Sequence, residues 1–306
     1  MALRQVIEAY ELLDSALVDG AQVTAFLRER GIEEISSKHL SSAAGATDAL
    51  RIRIRGRDAK APILGVVGKL GGIGARPARI GIVSDADGAI AVVAMALKIA
   101  AMNARGDVLP GDVILTTHIC PAAPTRAHHP VPFMSSPVER TILGRLEVDD
   151  EMSAVLSIDT SRGNRIVNHK GIAITPTVRQ GYLLPVSNDL LDLVESVTGT
   201  RAVVMPLSTQ DITPYANGLY HVNSILQPAV FTAAPVVGVA VTAEVAVPGC
   251  ATGANQLDDI EKAVRFAIET AKAYGGGTCR FHDEAEFEKL VRLYGPMRHL
   301  QTPGHE

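Results

Sequence analysis

Six short apolar runs, PILGVVG, RIGIVSD, DVILTTHI, AVLSID, RAVVMPL and PVVGVAVTAEVAV, recur along the chain with helical patterns between them. Each run is rich in β-branched residues and mostly continuous in its apolar character, which predicts strands covered on both faces. The intervening segments GAIAVVAMALKIAAMNARG, SPVERTILGRLE, SNDLLDLVESVTG and LDDIEKAVRFAIETAKAYGGG carry the helical period. Such alternation predicts an α/β fold, a three-layer α/β/α sandwich around a mostly parallel mixed sheet. ALRIRIRGRD differs, because Leu50, Ile52 and Ile54 alternate with Arg51, Arg53 and Arg55. One wet face suits an antiparallel or edge strand. In residues 2–30, Val6, Tyr10, Leu13 and Leu17 keep helical spacing until Gly20 interrupts it, predicting a helical hairpin or a kinked helix. The expected organisation is one domain over residues 1–306: a helical segment at 1–48, a core at 60–275, and a C-terminal helix and polar tail at 278–306.

A chain of 306 residues, 47% hydrophobic and 20% charged, has enough apolar side chains to bury a large core. Its net charge of -4 and scattered aromatics, with no Trp, offer neither a basic stripe nor a stacking platform for nucleic acid. AIAVVAMALKIAAM is interrupted by Lys98 and is too short for a bilayer, so no membrane partner is expected. The opening residues lack the apolar core of a secretory signal, and the three cysteines are odd in number and far apart. Both features fit a cytoplasmic protein with reduced thiols.

In open α/β sheets ligands bind beyond the carboxyl ends of the strands. The residues there are Lys69, Asp85, Asp87, His118, Cys120, Asp159, Arg162, Asp211 and Cys250. Asp85 and Asp87 also suit the N-terminus of the helix that Gly106 closes. Lys69 stands in a Gly-rich turn without P-loop spacing or the following Ser or Thr. His118 and Cys120 are two apart on an extended strand and share a face. His128 and His129, being adjacent, need an irregular loop to chelate together. HHPVPFM, within the same loop, has the length to cover the strand ends. His169, His221, His282 and Cys279 are isolated and are expected to serve packing or solvation.

From about residue 60 to 275, GKLGGIG, SDADGAIAVVAMALKIA, GDVILTTHICPAAP, AVLSIDTSRG and VPGCATGANQLDDIEKAVRFAIETA follow one another in an order that resembles the zinc-dependent aminopeptidase and amidohydrolase superfamily. The likeness is to an uncharacterised bacterial branch with the phosphorylase/hydrolase-like architecture. It implies a zinc aminopeptidase-like fold, with Asp85 and Asp159 in the places of two metal-binding aspartates. Lys69 and Gly71 stand where the first histidine and its aspartate partner belong, Pro121 and Ala122 where a glutamate pair belongs, and Cys250 near the last histidine. Most metal ligands of the superfamily are thus replaced. Residues 75–83 leave no room for the inserted domain through which active relatives assemble, so a homo-oligomer would use residues 50–57 or 2–30.

Three functions follow as expectations. The first is hydrolysis of an amide or peptide bond in a small amino-acid-derived substrate at a rebuilt site, with zinc or another divalent metal on Asp85, Asp159 and Cys250. His118 and Cys120 are its candidate catalytic residues, and Lys69, Asp87, Arg162 and Asp211 its substrate contacts. The second is a binding protein that keeps the scaffold without catalysis. The third is a metal-free cysteine enzyme, hydrolase or racemase, using Cys120 or Cys250.

Overall fold

A computed structural model describes residues 1–129 and 131–304. Pro130, within the expected covering loop, and His305 and Glu306, at the end of the expected tail, lie outside the described residues. The chain begins with two helices, α1 (Leu3–Leu13) and α2 (Gly20–Arg28), broken before Gly20; rather than pairing as a hairpin, α1 packs on the helices over the sheet and α2 on its first strands. Strands β1 (Ile35–Ser42), β2 (Gly45–Ile54) and β3 (Leu64–Gly68) follow. Residues 35–42, within the segment expected to be helical, therefore form a strand: ISSKHLSS pairs in full antiparallel register with β2. Helix α3 (Asp87–Asn103) leads to β4 (Val113–Ile119), to a small ribbon of β5 (Thr125–Arg126) and β6 (Phe133–Met134), and to α4 (Arg140–Glu147). Then come β7 (Ala154–Arg162), β8 (Gly171–Ile174), β9 (Val178–Arg179), β10 (Tyr182–Leu183) and α5 (Asn188–Thr198). The chain closes with β11 (Val236–Ala243), α6 (Leu257–Gly275) and α7 (Glu284–Tyr294).

The sheet order is β1-β2-β4-β3-β7-β11-β9-β10, with β8 also paired to β11. Its four central strands β4, β3, β7 and β11 are parallel, while β1, β2, β8 and β9 pair antiparallel. The Arg-lined strand β2 is antiparallel as expected, and its wet face is neutralised. Arg53 bonds Asp112 at 2.8 Å and Glu151 at 2.7 Å, and Arg51 bonds Asp149 at 2.6 Å.

The central parallel strands carry almost unbroken apolar sequences because both their faces are covered. One face packs on α3 and α6, with α1 outside them, in a core that includes Leu13, Ile90, Met95, Val239 and Phe266. Helix α3 is buried almost all round, which explains why its sequence lacks a polar stripe. The other face is covered by α4 and by irregular chain around Met205, Ile212, Ile225 and Leu226. Among the described residues no helix is long and apolar enough to cross a membrane.

Two expected strands are absent from the sheet. RIGIVSD is held only by isolated bridges, Gly74 to Ile82 and Val83 to Thr252, and ends in a helical turn at Ser84–Ala86. RAVVMPL makes one bridge, Val204 to Ile174. Their apolar residues serve burial of loops, a role that a short apolar run does not distinguish from a strand.

Candidate active site

From β3 the chain crosses to β4 on one side, then returns past β3 to β7 on the other. That reversal is a topological switch point, where an open α/β sheet leaves a crevice beyond its strand ends. Lys69 directly follows β3, Asp159 lies in β7, and Asp85 sits in the turn that enters α3.

Asp159 is only 2% exposed. Its Oδ1 accepts from the Thr160 amide at 2.8 Å and its Oδ2 from Ser224 Oγ at 2.9 Å. Asp85 is partly buried, and its Oδ2 accepts from the Gly71 amide at 2.7 Å. It does not cap α3, whose N-terminus has no side-chain cap. Burial pushes the Asp85 carboxyl up to about 7, against the pull of the Gly71 amide and with a further push from the Asp87 charge. Burial also raises the Asp159 carboxyl well above its ordinary range, and the charge of Asp85 raises it further. Both groups therefore keep their protons to higher pH than a carboxyl in water.

Two cations act on these carboxyls. Lys69 Nζ donates to both oxygens of Glu147 at 2.7 Å, and its charge favours the ionised form of Asp159. The Arg140 guanidinium lies 4.6 Å from the centre of the Tyr215 ring, and its charge favours the ionised form of Asp85. Burial raises the Tyr215 phenol, against the pull of the Arg140 charge. Asp211 places Ser224: its Oδ1 accepts from the amides of Val222 and Asn223 at 2.7 and 3.1 Å, while its Oδ2 caps the turn at Ser208.

The expected substrate contacts Lys69, Asp87, Arg162 and Asp211 are thus all engaged by protein. Arg162 bonds Asp87 within the protein, and Asn255 Nδ2 donates to the same carboxylate at 2.7 Å. Burial pushes Asp87 up to about 6 even against the Arg162 guanidinium. The expected catalytic residue His118 is a core tie. Its Nε2 lies 2.8 Å from the Leu70 carbonyl, which only accepts, so Nε2 carries the proton and Nδ1 accepts from Thr47 at 2.7 Å. Burial holds it below its ordinary pKa and therefore neutral. Cys120 and Cys250 share a small apolar cluster with Ala75, Val83, Ala123 and Met134. Burial pushes the Cys120 thiol up to about 11, leaving almost no thiolate at neutral pH. His128 is exposed and stacks edge-on against Phe133 at 5.1 Å, while His129 is exposed.

A metal pair requires several N or O ligands set around each ion. Among the described residues no cluster of three or more His, Cys, Asp or Glu side chains is arranged to hold one. Cys250 lies in the apolar cluster. This donor set does not fit the zinc centre expected from the resemblance.

Arg140, Glu147, Tyr215 and Ser224 were not marked by sequence. Arg140 and Glu147 open and close an amphipathic helix that reads as a solvated surface, and Tyr215 and Ser224 stand in a loop without a motif. Only the path of chain over the sheet brings them to the strand ends.

Solved structures share this fold. Bottromycin maturation enzyme BotP superposes with a TM-score of 0.55 at 14% identity over 89% of this chain and 70% of that one. The same enzyme has been solved in complex with Mn, at a TM-score of 0.50. Caenorhabditis elegans leucine aminopeptidase LAP1 gives 0.53 at 10% identity, over 89% of this chain and 66% of that one. An Acidobacteriales bacterium glutaminyl cyclase gives 0.52 at 14% identity, over 90% of this chain and 94% of that one. These likenesses support the zinc-peptidase-like fold, and at such identities they speak to the fold alone. No curated protein sequence matches the chain. Residues 38–304 match a family model described as a protein of unknown function, DUF1177, and the chain belongs to that family.

Proposed function

We propose that this protein hydrolyses an amide or peptide bond in a small amino-acid-derived molecule, using Asp85 and Asp159 as an acid–base pair. What supports this reading is the pair itself: two carboxyls at the switch point of the sheet, each raised by burial, with the charge of Asp85 raising Asp159 further. The likeness to peptidases and a glutaminyl cyclase supports a scaffold suited to chemistry at an acyl carbon.

A pair that shares one proton supplies both a base and an acid. Asp85, the member that reaches solvent, takes a proton from water as its oxygen adds to the carbonyl carbon. Asp159 gives its proton to the carbonyl oxygen, forming a neutral tetrahedral adduct. The adduct then collapses: its hydroxyl proton returns to Asp159, the proton held on Asp85 passes to the departing nitrogen, and the C–N bond breaks. The products are a carboxylic acid and an amine, and the pair regains its single proton. Ser224, fixed through Asp211, holds Asp159 in place for this exchange, and the charge of Lys69 favours its ionised form. Positioned acid–base catalysis of this sort contributes roughly 10²–10⁴-fold.

The cysteine reading has weaker support, since Cys120 is held protonated in an apolar cluster. The test is amine release from a panel of acyl dipeptides, with chelator present throughout, by the wild type and Asp159→Asn. Turnover by the wild type, falling about a hundredfold or more in the variant, is expected. Absence of turnover, equal turnover by the variant, or activity that depends on restoring a divalent metal would overturn the proposal.

A further inference from the structure

At the edge of the sheet opposite β1, where the chain leaves β10, a cavity of about 250 Å³ opens between the first turns of α5 and α7. It is smaller than the roughly 300–1,000 Å³ of sites for drug-sized molecules, so it suits a ligand of amino-acid size. His282 lines it, with a side chain only 9% exposed. Its Nε2 lies 2.7 Å from Arg179 Nη1, which can only donate, so Nε2 accepts and the proton of the neutral ring is on Nδ1. Burial and the Arg179 charge hold the ring below its ordinary pKa and therefore neutral. Nδ1 is buried and has no hydrogen-bond partner. Arg179 and Glu284, at the Nε2 edge, and Phe287, beside the ring, do not line the cavity, so the cavity meets the ring on its Nδ1 side. A buried donor left unpaired is costly, and an acceptor in the cavity removes that cost.

The rest of the wall offers two kinds of charge. On the α5 side, the amides of Asn188 and Asp189 make no hydrogen bond among the described residues. Arg280 stands beside them, its side chain 80% exposed and no nearer than 3.9 Å to the Asp189 carboxylate, which accepts from the Arg280 amide at 2.8 Å. On the α7 side, Asp283 and Glu286 are exposed. Asp283 caps the helix, and the ion pairs of α7 run through Glu284, leaving Glu286 unmatched among the described residues. Leu184 and Val186 add an apolar wall.

We propose that this cavity binds a free aliphatic α-amino acid, its carboxylate received by His282 Nδ1, the α5 amides and Arg280, and its ammonium by Asp283 and Glu286. A simple carboxylate would meet the three acids Asp189, Asp283 and Glu286 with nothing to answer them, and a simple amine would leave the donors unpaired. A zwitterion satisfies both sets through charge-assisted hydrogen bonds. The site shares no residue with the crevice, so it does not depend on the hydrolase reading.

The test titrates the full chain, labelled with ¹⁵N-histidine, with L-leucine, with L-leucinamide, which lacks the carboxylate, and with 4-methylpentanoate, which lacks the ammonium. L-leucine is expected to bind saturably and to shift the His282 Nδ1 resonance, with each analogue weaker by about tenfold or more. Arg280→Gln and Glu286→Gln replace exposed side chains and leave the core untouched. The first should narrow the gap between L-leucine and L-leucinamide, and the second the gap between L-leucine and 4-methylpentanoate. No saturable binding of L-leucine, binding that leaves the His282 resonance unmoved, equal binding of the three probes, or gaps unchanged in both variants overturns the proposal.

Discussion

A carboxyl group taken out of water holds its proton more tightly, and a second carboxyl at its side strengthens the effect. Asp85, raised to about 7, and Asp87, raised to about 6, therefore remain protonated in the folded chain where the unfolded chain has ionised. Between about pH 4 and 7 the folded state binds more protons, so stability falls as pH rises through that window. Asp85→Asn removes the Asp85 share while its side-chain oxygen can still accept from the Gly71 amide. In thermal or denaturant unfolding the variant should match the wild type near pH 4 and exceed it by on the order of 2 kcal/mol at pH 8. A variant less stable than the wild type at pH 8 contradicts this. At the residue scale, Lys69, Asp85 and Asp159 were legible in sequence because each follows or ends an apolar run. Arg140 and Ser224 were not, because their approach to Asp85 and Asp159 is set by chain that crosses the sheet rather than by local pattern.

Between elements, the decisive contact is backbone on backbone. A Cβ placed on Gly68, at the end of β3, would lie 2.4 Å from the Gly88 carbonyl oxygen in the first turn of α3. One on Gly88 would lie 2.8 Å from the Lys69 and Ile158 carbonyl oxygens. The two glycines let α3 start directly on the strand ends, with Asp85 in the turn that enters it. Gly68→Ala should therefore cost about 2–4 kcal/mol in denaturant unfolding. A loss below about 0.5 kcal/mol, the usual range of a surface change, would contradict the close approach. Helical elements were legible almost to their ends: the periodicity of SNDLLDLVESVTG, for example, matches a helix capped by Ser187 and closed by Gly199 at φ 69°. Strands were less so. RIGIVSD has the composition of a strand, yet the amides of Ser84 and Asp85 donate to Ala251 and Gly249, outside any strand. ISSKHLSS has little strand pattern of its own and is ordered by pairing with β2.

Across the whole molecule, the parallel centre of the sheet was readable from its continuous apolar strands, while the covering of its second face by irregular chain around 205–230 was not. That covering supplies Tyr215 and Ser224, and with them the form of the crevice. The resemblance in segment order led to the right scaffold, while among the described residues no cluster of three or more His, Cys, Asp or Glu side chains is set to hold a metal. At the strand ends stand Asp85 and Asp159, both raised by burial. The claim on which the rest depends is that Asp85 and Asp159 titrate as one coupled pair. Carboxyl-selective ¹³C NMR, followed from pH 3 to 10 on the wild type and Asp85→Asn, reads this directly. The account predicts that Asp85 titrates near pH 7 and Asp159 higher, and that Asp159 moves to lower pH once the Asp85 charge is removed. Two carboxyls titrating near pH 4, or an Asp159 titration unmoved by Asp85→Asn, would contradict it.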